Sequence, residues 1–374
     1  MNSETNIDLV SAKEAAALIG ISVSTFRKMR NAGNFASIEV KVGQRLKYSK
    51  KKLLELFKAE APKAQIVENL KLCIFSDGKN FNNFSNNTID LTKLSLVDPF
   101  GSLSLLIFLI ERSRNGVPTK LIVDDRAVCK NLKFIGFFDQ LESFASLVTW
   151  DKSLIGMSNF ISAETMLPIT VIKRKGEERR VVEKLLEIFI QHGFSEGIGG
   201  YLGWMLGELG DNCLTHSSPN LRDRVCFMQA QRYSLGENTN CVIVAIADLG
   251  EGIHTTLKTN LKYSYMSDVE AFLSAFRHGV SSWPDEAKRG KGLTDMIAIA
   301  IGNHSIFRAS SSDNDFLFNF YSSKNSLYIS KNEPALLSSK GTKFGFVLID
   351  KDFSPVGRDI ADDILKQGIE QWKK

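Results

Sequence analysis

The pattern of apolar and polar residues divides the chain into three parts. Residues 1–65 predict short helices and a hairpin, residues 66–160 alternate between apolar strands and apolar helices, and residues 161–374 combine apolar helices with continuously apolar strands. Alternating strands and helices are typical of α/β packing, and a chain of 374 residues is long enough for two to four domains. We therefore expect a multidomain α/β (α+β) protein with boundaries near residues 65 and 160.

The first part opens with two helices. An alanine-rich stretch before Gly20 predicts the first helix, and Ser22 or Ser24 is a suitable N-cap for the second. Alternating residues around Gly43 predict a small hairpin, and the stretch after it predicts a third helix. This segment resembles the winged helix-turn-helix of excisionases and MerR-like regulators. The residues from Ala61 to Gln65 are the expected linker to the second part.

The resemblance implies that the second helix of this part contacts DNA and that the hairpin is the wing. Charge agrees, because residues 1–65 hold 12 Lys and Arg against 6 acids, a net charge of +6, whereas the whole chain carries only +5. We expect DNA binding, with protein docking as the alternative. The expected contact residues are Ser24, Thr25, Arg27, Lys28 and Arg30 on the helix, and Lys41, Gln44, Arg45 and Lys47 on the wing.

The second part, residues 66–160, predicts an α/β domain. Its strands are expected at residues 70–75, within residues 87–99 and at residues 119–125. Its helices are expected at residues 101–116 and around residues 134–142, so strands and helices alternate along this part.

The segment IDLTKLSLVDPFGSLSLLIFLIERSRNG resembles the core of STAS domains, the anti-sigma-antagonist fold. In that fold a turn before the helix carries a hydroxyl that accepts phosphate, and here the equivalent positions hold Pro99 or Phe100. The segment therefore cannot be phosphorylated there. We expect a structural or dimerising module that contacts a protein partner, and we expect the protein to be a homodimer.

The third part, residues 161–374, carries Glu208, Asn212 and His216 on an apolar helical stretch that begins near Tyr201. Residues spaced four apart lie on one face of a helix, so these three can meet one ligand. An Asn oxygen suits Mg²⁺, which keeps several waters and bridges to phosphates, and a carboxylate suits a general base. The alternative is a polar stripe that faces water.

Two glycine-containing turns follow this stretch. An apolar strand ends at Asp248, whose carboxylate can accept a hydrogen bond from an exocyclic amine, although an ordinary turn is the alternative. Gly250 and Gly252 come next and lack the Cβ that would keep a ligand away. Later, Gly290 and Gly292 precede an apolar helix, and a glycine-rich entry to a helix offers free amides to phosphate.

With the segment KGTKFGF at residues 340–346, these segments resemble the four motifs of the GHKL ATPases, which include gyrase, heat-shock chaperones, histidine kinases, anti-sigma kinases and mismatch-repair proteins. The match covers roughly the last half of the chain. It implies a Bergerat-type α/β sandwich that binds Mg·ATP, with Glu208 as general base and Asn212 as Mg²⁺ ligand. The implied nucleotide-binding residues are Asn212, Asp248, Gly250, Gly252, Gly290, Lys291, Gly292, Gly341 and Thr342.

Residues 253–289 separate the two glycine-containing turns and include AFRHGVSSWPDEAK, which is polar and interrupted by Gly279 and Pro284. A long segment of this composition is typical of a functional lid, and FRHGVSS resembles the lid sequence of anti-sigma-like and sensor-kinase-like members. Arg277 and His278 either contact phosphates or are solvated. The polar run at residues 173–180 marks either a second boundary or the start of a helix.

The remaining composition narrows the class of protein. No signal peptide and no apolar run long enough to span a bilayer are visible, so we expect a cytoplasmic protein that does not contact a membrane. The 5 cysteines form no CxxC motif, which favours reduced, mostly buried thiols. We expect an ATP-binding, DNA-associated regulator in which Mg·ATP, with or without hydrolysis, controls conformation or self-association. The alternatives are an anti-sigma-like Ser/Thr protein kinase that acts on a separate partner protein, and a module in which ATP is a structural ligand.

Overall fold

The structure is a computed structural model. It forms two compact units, Met1–Glu68 and Asn69–Lys374, and is mixed α/β. The residues that it describes are 9–18, 23–31, 39–42, 45–49, 52, 70–155, 165–191, 194, 196–216, 224–234, 240–282, 292–321, 326–349 and 356–374. The expected linker at Ala61–Gln65 and the third helix after the hairpin lie outside the described residues.

The first unit contains two helices and a small antiparallel sheet, as the sequence predicts. Ser11 and Glu14 form a capping box, in which the Ser11 amide donates to Glu14 Oε2 at 2.8 Å, so the first helix begins directly after Ser11. Phe26 and Tyr48 are fully buried and meet edge to face at 5.0 Å, which packs the second helix against the hairpin. The elements are β1 Leu9–Val10, α1 Ala12–Leu18, α2 Val23–Asn31, β2 Glu39–Val42 and β3 Arg45–Ser49, with sheet order β1-β3-β2.

The second unit begins with a segment, residues 70–155, in which parallel strands and helices alternate, as predicted. Asp98 caps the long helix of this segment by accepting the Gly101 amide at 2.8 Å, and Pro99 occupies the first turn, where its missing N–H costs nothing. The elements are β4 Leu70–Leu72, β5 Thr88–Asp90, β6 Leu94–Val97, α3 Pro99–Arg114, β7 Thr119–Ile122, α4 Ala127–Phe134, α5 Phe137–Phe144 and β8 Val148–Thr149.

The helix expected around residues 134–142 differs from the structure. The structure has two helices there, because Gly136 adopts a left-handed conformation with φ +79°, which ends α4 and lets the chain turn into α5. The strands of this segment pair in two small parallel sheets, β4 with β6 and β5-β7-β8.

The rest of the second unit is built on a seven-stranded antiparallel sheet. Its strand order is β14-β13-β12-β15-β11-β10-β9. Among the described residues, this part of the chain also contains six helices. The strands are β9 Thr165–Ile172, β10 Cys226–Ser234, β11 Asn240–Asp248, β12 Ile306–Ser311, β13 Asn314–Tyr321, β14 Ser326–Lys331 and β15 Lys343–Ile349. The helices are α6 Glu177–Gln191, α7 Glu196–His216, α8 Ile253–Lys258, α9 Asp268–Ser274, α10 Gly292–Gly302 and α11 Arg358–Trp372.

Both faces of this sheet are buried at strands β10, β11 and β15, which explains why the interior strand β11 is apolar at every position from Cys241 to Ala247. Side chains alternate along a strand, so Val244 and Ile246 lie in a core with α6, α7, α10 and α11. Ile243 and Ala245 lie on the opposite face, in a second core formed with residues 70–155, where α3 packs across β10, β11 and β15. The sheet and the preceding α/β segment therefore share one core.

Several local expectations change in the structure. The helix expected to begin near Tyr201 begins at Glu196, and the polar run at residues 173–180 leads directly into α6 at Glu177. The described part of the expected lid, residues 253–282, contains α8 and α9 and buries Leu257 and Phe272, and its role as a lid stays a prediction. All five cysteines are free and buried, as expected. Among the described residues, no helix is long and apolar enough to cross a membrane.

Candidate functional site

A cleft of about 400 Å³ opens in the second unit between α7, the end of β11, and the starts of α8 and α10. This volume lies within the range of small-molecule binding sites, about 300–1,000 Å³. Six of the residues that the sequence singles out line this one cleft, although they are spread over 135 positions of the chain. They are Glu208, Asn212, Asp248, Gly252, Gly292 and Thr342.

Asp248 is the most buried carboxylate in the cleft. Its Oδ1 atom accepts the amides of Gly250 at 2.8 Å and Thr342 at 3.2 Å, and its own amide donates to the Thr342 carbonyl at 3.0 Å. Burial raises the pKa of Asp248 to about 6, and its hydrogen bonds with these amides and with the Cys213 thiol oppose that shift. Two backbone amides therefore fix one oxygen of the Asp248 carboxylate, and the residue lines the cleft.

Two glycines beside Asp248 are required by the backbone. Gly341 has φ +80°, and a Cβ there would lie 2.3 Å from the carbonyl oxygen of Asp248. Gly252 has φ +89°, and a Cβ there would lie 2.1 Å from the Ser311 hydroxyl. Any other residue would be strained and would push the chain away from the cleft. Gly250 and Gly341 do not line the cleft but act through the position of Asp248.

Glu208 and Asn212 lie one turn apart on α7 and meet the start of α10. A Cβ added to Gly292 would lie 3.3 Å from Oε2 of Glu208 and 3.5 Å from Nδ2 of Asn212. Glu208 is exposed and Asn212 is half-buried, so both side chains are accessible from the cleft. Partial burial, together with the negative charges of Asp211 and Asp295, raises the pKa of Glu208, and Arg358 opposes this shift.

Arg358, the first residue of α11, lines the cleft and is a residue that the sequence does not reveal. Its guanidinium forms a two-point ion pair with the buried carboxylate of Asp295, in which Nη2 and Oδ2 are 2.8 Å apart and Nε donates to Oδ1. Its Cζ atom lies 5.8 Å from the ring centre of Trp204. A second cation in the lining, Lys175, pairs with Asp211 at 2.9 Å. No sequence motif marks Arg358, because it follows the last motif segment on an ordinary amphipathic helix.

Other expected residues lie away from the cleft or outside the described residues. Arg277 Nε and the His278 amide both donate to Asp362 of α11 at 3.1 Å, so these residues hold the last helix and do not line the cleft. Gly290 and Lys291 lie outside the described residues, as does the side chain of His216. Within the described part of the chain, no three His, Cys, Asp or Glu side chains form a metal cluster.

A comparison with known proteins identifies a domain family for the first unit only. Residues 9–61 match the family model of a helix-turn-helix domain. The first unit is a helix-turn-helix domain. No curated protein and no solved structure gives a significant match to the chain.

Of the six expected DNA-contacting residues whose side chains are described, four are exposed. Ser24 and Arg27 on α2 are exposed, as are Lys41 on β2 and Arg45 on β3. Two basic residues are less exposed. Lys47 is half-buried, and Arg30 is half-buried and donates from Nη2 to Asn31 Oδ1 at 2.9 Å. The side chains of Thr25 and Lys28 and the whole of Gln44 lie outside the described residues.

Proposed function

We propose that the protein is a DNA-associated regulator whose second unit binds Mg·ATP in the cleft, in the manner of GHKL ATPases. Nucleotide binding then controls its conformation or self-association. The observation that carries the proposal is the convergence of Glu208, Asn212, Asp248 and Thr342 on one cleft, in the arrangement that the sequence motifs imply. The pairing of β11 with β15 places Asp248 near Thr342, and α7 packs over the same face of the sheet. Polar groups that converge on one cavity in this way are typical of a ligand site.

Asp248 is the proposed acceptor for the exocyclic amine of adenine. Its Oδ1 is bound by two backbone amides, which fixes the carboxylate plane and leaves Oδ2 for a ligand and the Cys213 thiol. Gly252 supports this role because it lines the cleft without a side chain. A buried carboxylate that accepts an amine forms a charge-assisted hydrogen bond, which is stronger than a neutral one.

Asn212 is the proposed Mg²⁺ ligand. Mg²⁺ takes oxygen ligands, keeps several waters and commonly binds through one or two protein groups together with substrate phosphates. A single amide side chain in the lining of the cleft fits this requirement, and a cluster of three protein ligands is not needed. Asn212 would hold the ion, which would supply positive charge to offset the charge of the phosphates.

Glu208 is the proposed general base. Its carboxylate is exposed to the cleft and lies against the start of α10, where it can orient and deprotonate a water or a hydroxyl. Burial and the neighbouring carboxylates raise its pKa, which makes it a better proton acceptor while it is ionised. Its chemistry requires an acid–base group, which is why an amide would not serve at this position.

The helix-turn-helix domain is the proposed DNA-binding part. Exposed Arg27 on α2 and exposed Lys41 and Arg45 on the hairpin provide cations for phosphate contacts, and the net charge of +6 in residues 1–65 supports a polyanionic partner. We propose that DNA binding is the output and nucleotide binding the input of the regulator.

The STAS-like segment has a proposed structural role. Asp98 and Phe100 of its turn are buried, and Phe100 lies under the guanidinium of Arg308 at 4.8 Å. The turn is therefore packed into the core and carries no accessible hydroxyl. Its surface as a binding site for a protein partner, and the homodimer, stay predictions.

Phosphate transfer to a protein is the second candidate function, and the exposure of Glu208 favours it. A carboxylate that solvent reaches can also accept the proton of a hydroxyl on a separate protein. Incubation with γ-labelled ATP, with and without DNA and cell extract, separates the two. Free labelled phosphate indicates an ATPase, label on another protein indicates a kinase, and neither indicates that ATP acts as a switch or a structural ligand.

Calorimetric titration with Mg·ATP tests the nucleotide site. Asp248→Asn is expected to stay folded and to weaken binding by about tenfold or more, because a charge-assisted hydrogen bond contributes about 1.5–3 kcal/mol. Asp98→Asn is the matched control, since burial also raises the pKa of Asp98 to about 6 and it also accepts two backbone amides, but it does not line the cleft. Equal affinities in wild type and Asp248→Asn would exclude this adenine site.

A further inference from the structure

Arg358 is held rigidly at one end of the cleft. The two-point pair with Asp295 fixes the plane of the guanidinium, and its Cζ atom lies 5.8 Å from the centre of the Trp204 ring. The carboxylate of Asp295 is itself buried, at 8 % side-chain exposure, while Arg358 keeps 38 %. Asp295 therefore holds the guanidinium of Arg358 in place, and part of Arg358 stays exposed to the cleft.

Helix α7 shows which end of the cleft this is. Cys213 of α7 hydrogen-bonds with Asp248, whereas Trp204, which contacts Arg358, lies nine residues earlier on the same helix. At about 1.5 Å per residue, the two contacts are separated by about 13.5 Å along the helix axis. Asn212 and Glu208 lie between them. The order along the cleft is therefore Asp248, Asn212, Glu208 and then Arg358.

We propose that Arg358 binds the terminal phosphate of a nucleoside triphosphate and makes the cleft prefer the triphosphate over the diphosphate. This inference rests on the proposed nucleotide site, in which the base lies at Asp248 and the metal at Asn212. A chain of phosphates that starts from that base passes Asn212 and ends beside Glu208 and Arg358.

Charge explains why a cation is needed there. Glu208 is a carboxylate in the lining at this end of the cleft and repels a phosphate, whereas the charge of Asp211 is already paired with Lys175. Arg358 offsets that repulsion. An Arg side chain has five N–H donors, and the pair with Asp295 uses Nε and one Nη2 proton, which leaves the donors of Nη1 for phosphate oxygens. Asp295 is the positioning residue, since it holds the donors of Arg358 in one orientation.

Affinities for Mg·ATP and Mg·ADP, measured by calorimetry on the full chain, test the inference. Arg358→Ala is expected to lower ATP affinity about tenfold or more and to change ADP affinity by less than about twofold, because only ATP carries the terminal phosphate. Arg358→Lys keeps the charge but loses the two-point pair, so it is expected to retain part of the preference. Asp295→Asn is expected to reduce the preference as well, because it releases the guanidinium.

Arg277→Ala is the matched control. Arg277 also pairs with an aspartate of α11, Asp362, but does not line the cleft, so both affinities should stay at the wild-type value. Thermal unfolding of each variant confirms that it is folded. Equal losses for ATP and ADP in Arg358→Ala, or no loss for either, would overturn the role of Arg358 while leaving the nucleotide site intact. Failure of the wild-type protein to bind both nucleotides would overturn the proposed function and this inference together.

Discussion

The backbone amide of Lys340 donates to Oε2 of Glu111 at 2.6 Å. Glu111 belongs to α3 of the α/β segment, and Lys340 belongs to the loop that leads into β15. The next two residues of that loop, Gly341 and Thr342, hold Asp248 in place. The α/β segment therefore touches the loop that shapes the cleft, on the opposite side of the sheet from α7.

Removal of the Glu111 carboxylate is expected to loosen this loop. A hydrogen bond of this kind contributes about 1 kcal/mol, so Glu111→Ala should weaken Mg·ATP binding by about fivefold without unfolding the protein. Calorimetry measures the change. Glu142→Ala serves as the control, because Glu142 is paired only at the surface of the same segment, with Lys152. An unchanged affinity in Glu111→Ala would show that the loop holds its position without α3.

Nucleotide affinity is expected to fall as the pH falls from about 7 to about 5. Burial raises the pKa of Asp248 to about 6, so the folded protein protonates this carboxylate within that range and loses the charged acceptor. Phosphate groups also titrate near pH 6, so Asp248→Asn is the reference. If Asp248 binds the ligand through its charge, calorimetry should show a higher affinity for the wild type than for Asp248→Asn above about pH 7, and this difference should shrink toward pH 5. Equal affinities above about pH 7 would contradict the role of the charge.

Folding stability responds to the same groups in a defined direction. Asp98 and Asp248 both have a pKa of about 6 in the folded protein, above the unfolded value of about 3.9. A raised carboxylate pKa gives stability that is complete below the unfolded pKa and is lost as the pH rises through the folded pKa. Asp98 and Asp248 change the free energy of unfolding over the same pH range. Unfolding experiments therefore cannot separate the two groups, and ligand binding must be measured to isolate Asp248.

Glu208→Gln is expected to separate turnover from binding. The amide keeps the size and the hydrogen-bonding oxygen of Glu208 but cannot accept the proton, so turnover should fall by about 100-fold while ATP stays bound. Asn212→Ala should instead remove the dependence of binding on Mg²⁺. A phosphate-release assay, run beside calorimetry, checks both. Wild-type turnover in Glu208→Gln, in conditions where the wild type is active, would exclude the general base.

Arg308→Met is expected to destabilise the second unit by about 3–5 kcal/mol, because it leaves a buried carboxylate without its partner. Arg308 and Asp315 are both fully buried, with Nε and Oδ1 2.8 Å apart, and Arg308 also donates to the carbonyls of Ile74 at 2.8 Å and Ser76 at 2.7 Å. Urea unfolding measures the loss of free energy. Lys331→Met, which breaks an ion pair with an exposed glutamate, should cost no more than about 1 kcal/mol.

Arg27→Ala combined with Arg45→Ala is expected to make DNA binding less dependent on salt. Each lost phosphate contact reduces the slope of log affinity against log salt by about 0.9, so the double variant of the full chain should have a slope about two units shallower. Arg179→Ala with Lys184→Ala removes the same charge from exposed positions of α6 and should leave the slope unchanged. The same slope in both double variants would favour a protein-docking role for the helix-turn-helix domain.

The sequence predicts those elements whose patterns are strong. A run of apolar residues that ends in Asp248 predicts a buried strand with a carboxylate at its end, and the structure has β11 there. Likewise, Gly292 followed by apolar residues marks the start of α10. A motif also predicts which residues lie at a strand end or at a helix start. The cleft residues come from such positions, so the motifs also predict them.

Other features depend on packing that a sequence does not display. Residues 253–282 are mostly polar, and a few apolar side chains such as Leu257 and Phe272 are enough to fold them into two helices against the core. The split at Gly136 depends on a left-handed conformation that glycine permits but does not require. Arg358 enters the cleft only because α11 packs beside α10, and no residue pattern near Arg358 records that neighbour.

The burial of both faces of strands β10, β11 and β15 limits how the protein can assemble. A second copy, or any partner, cannot stack on these strands without displacing α3 or the helices opposite. Among the described residues, the strands that remain open along one side are the outermost two, β9 and β14. Strand β14 ends in Lys331, and a charged residue at a sheet edge discourages strand-to-strand pairing. A partner that approaches the middle of the sheet therefore meets helix surfaces and not strands.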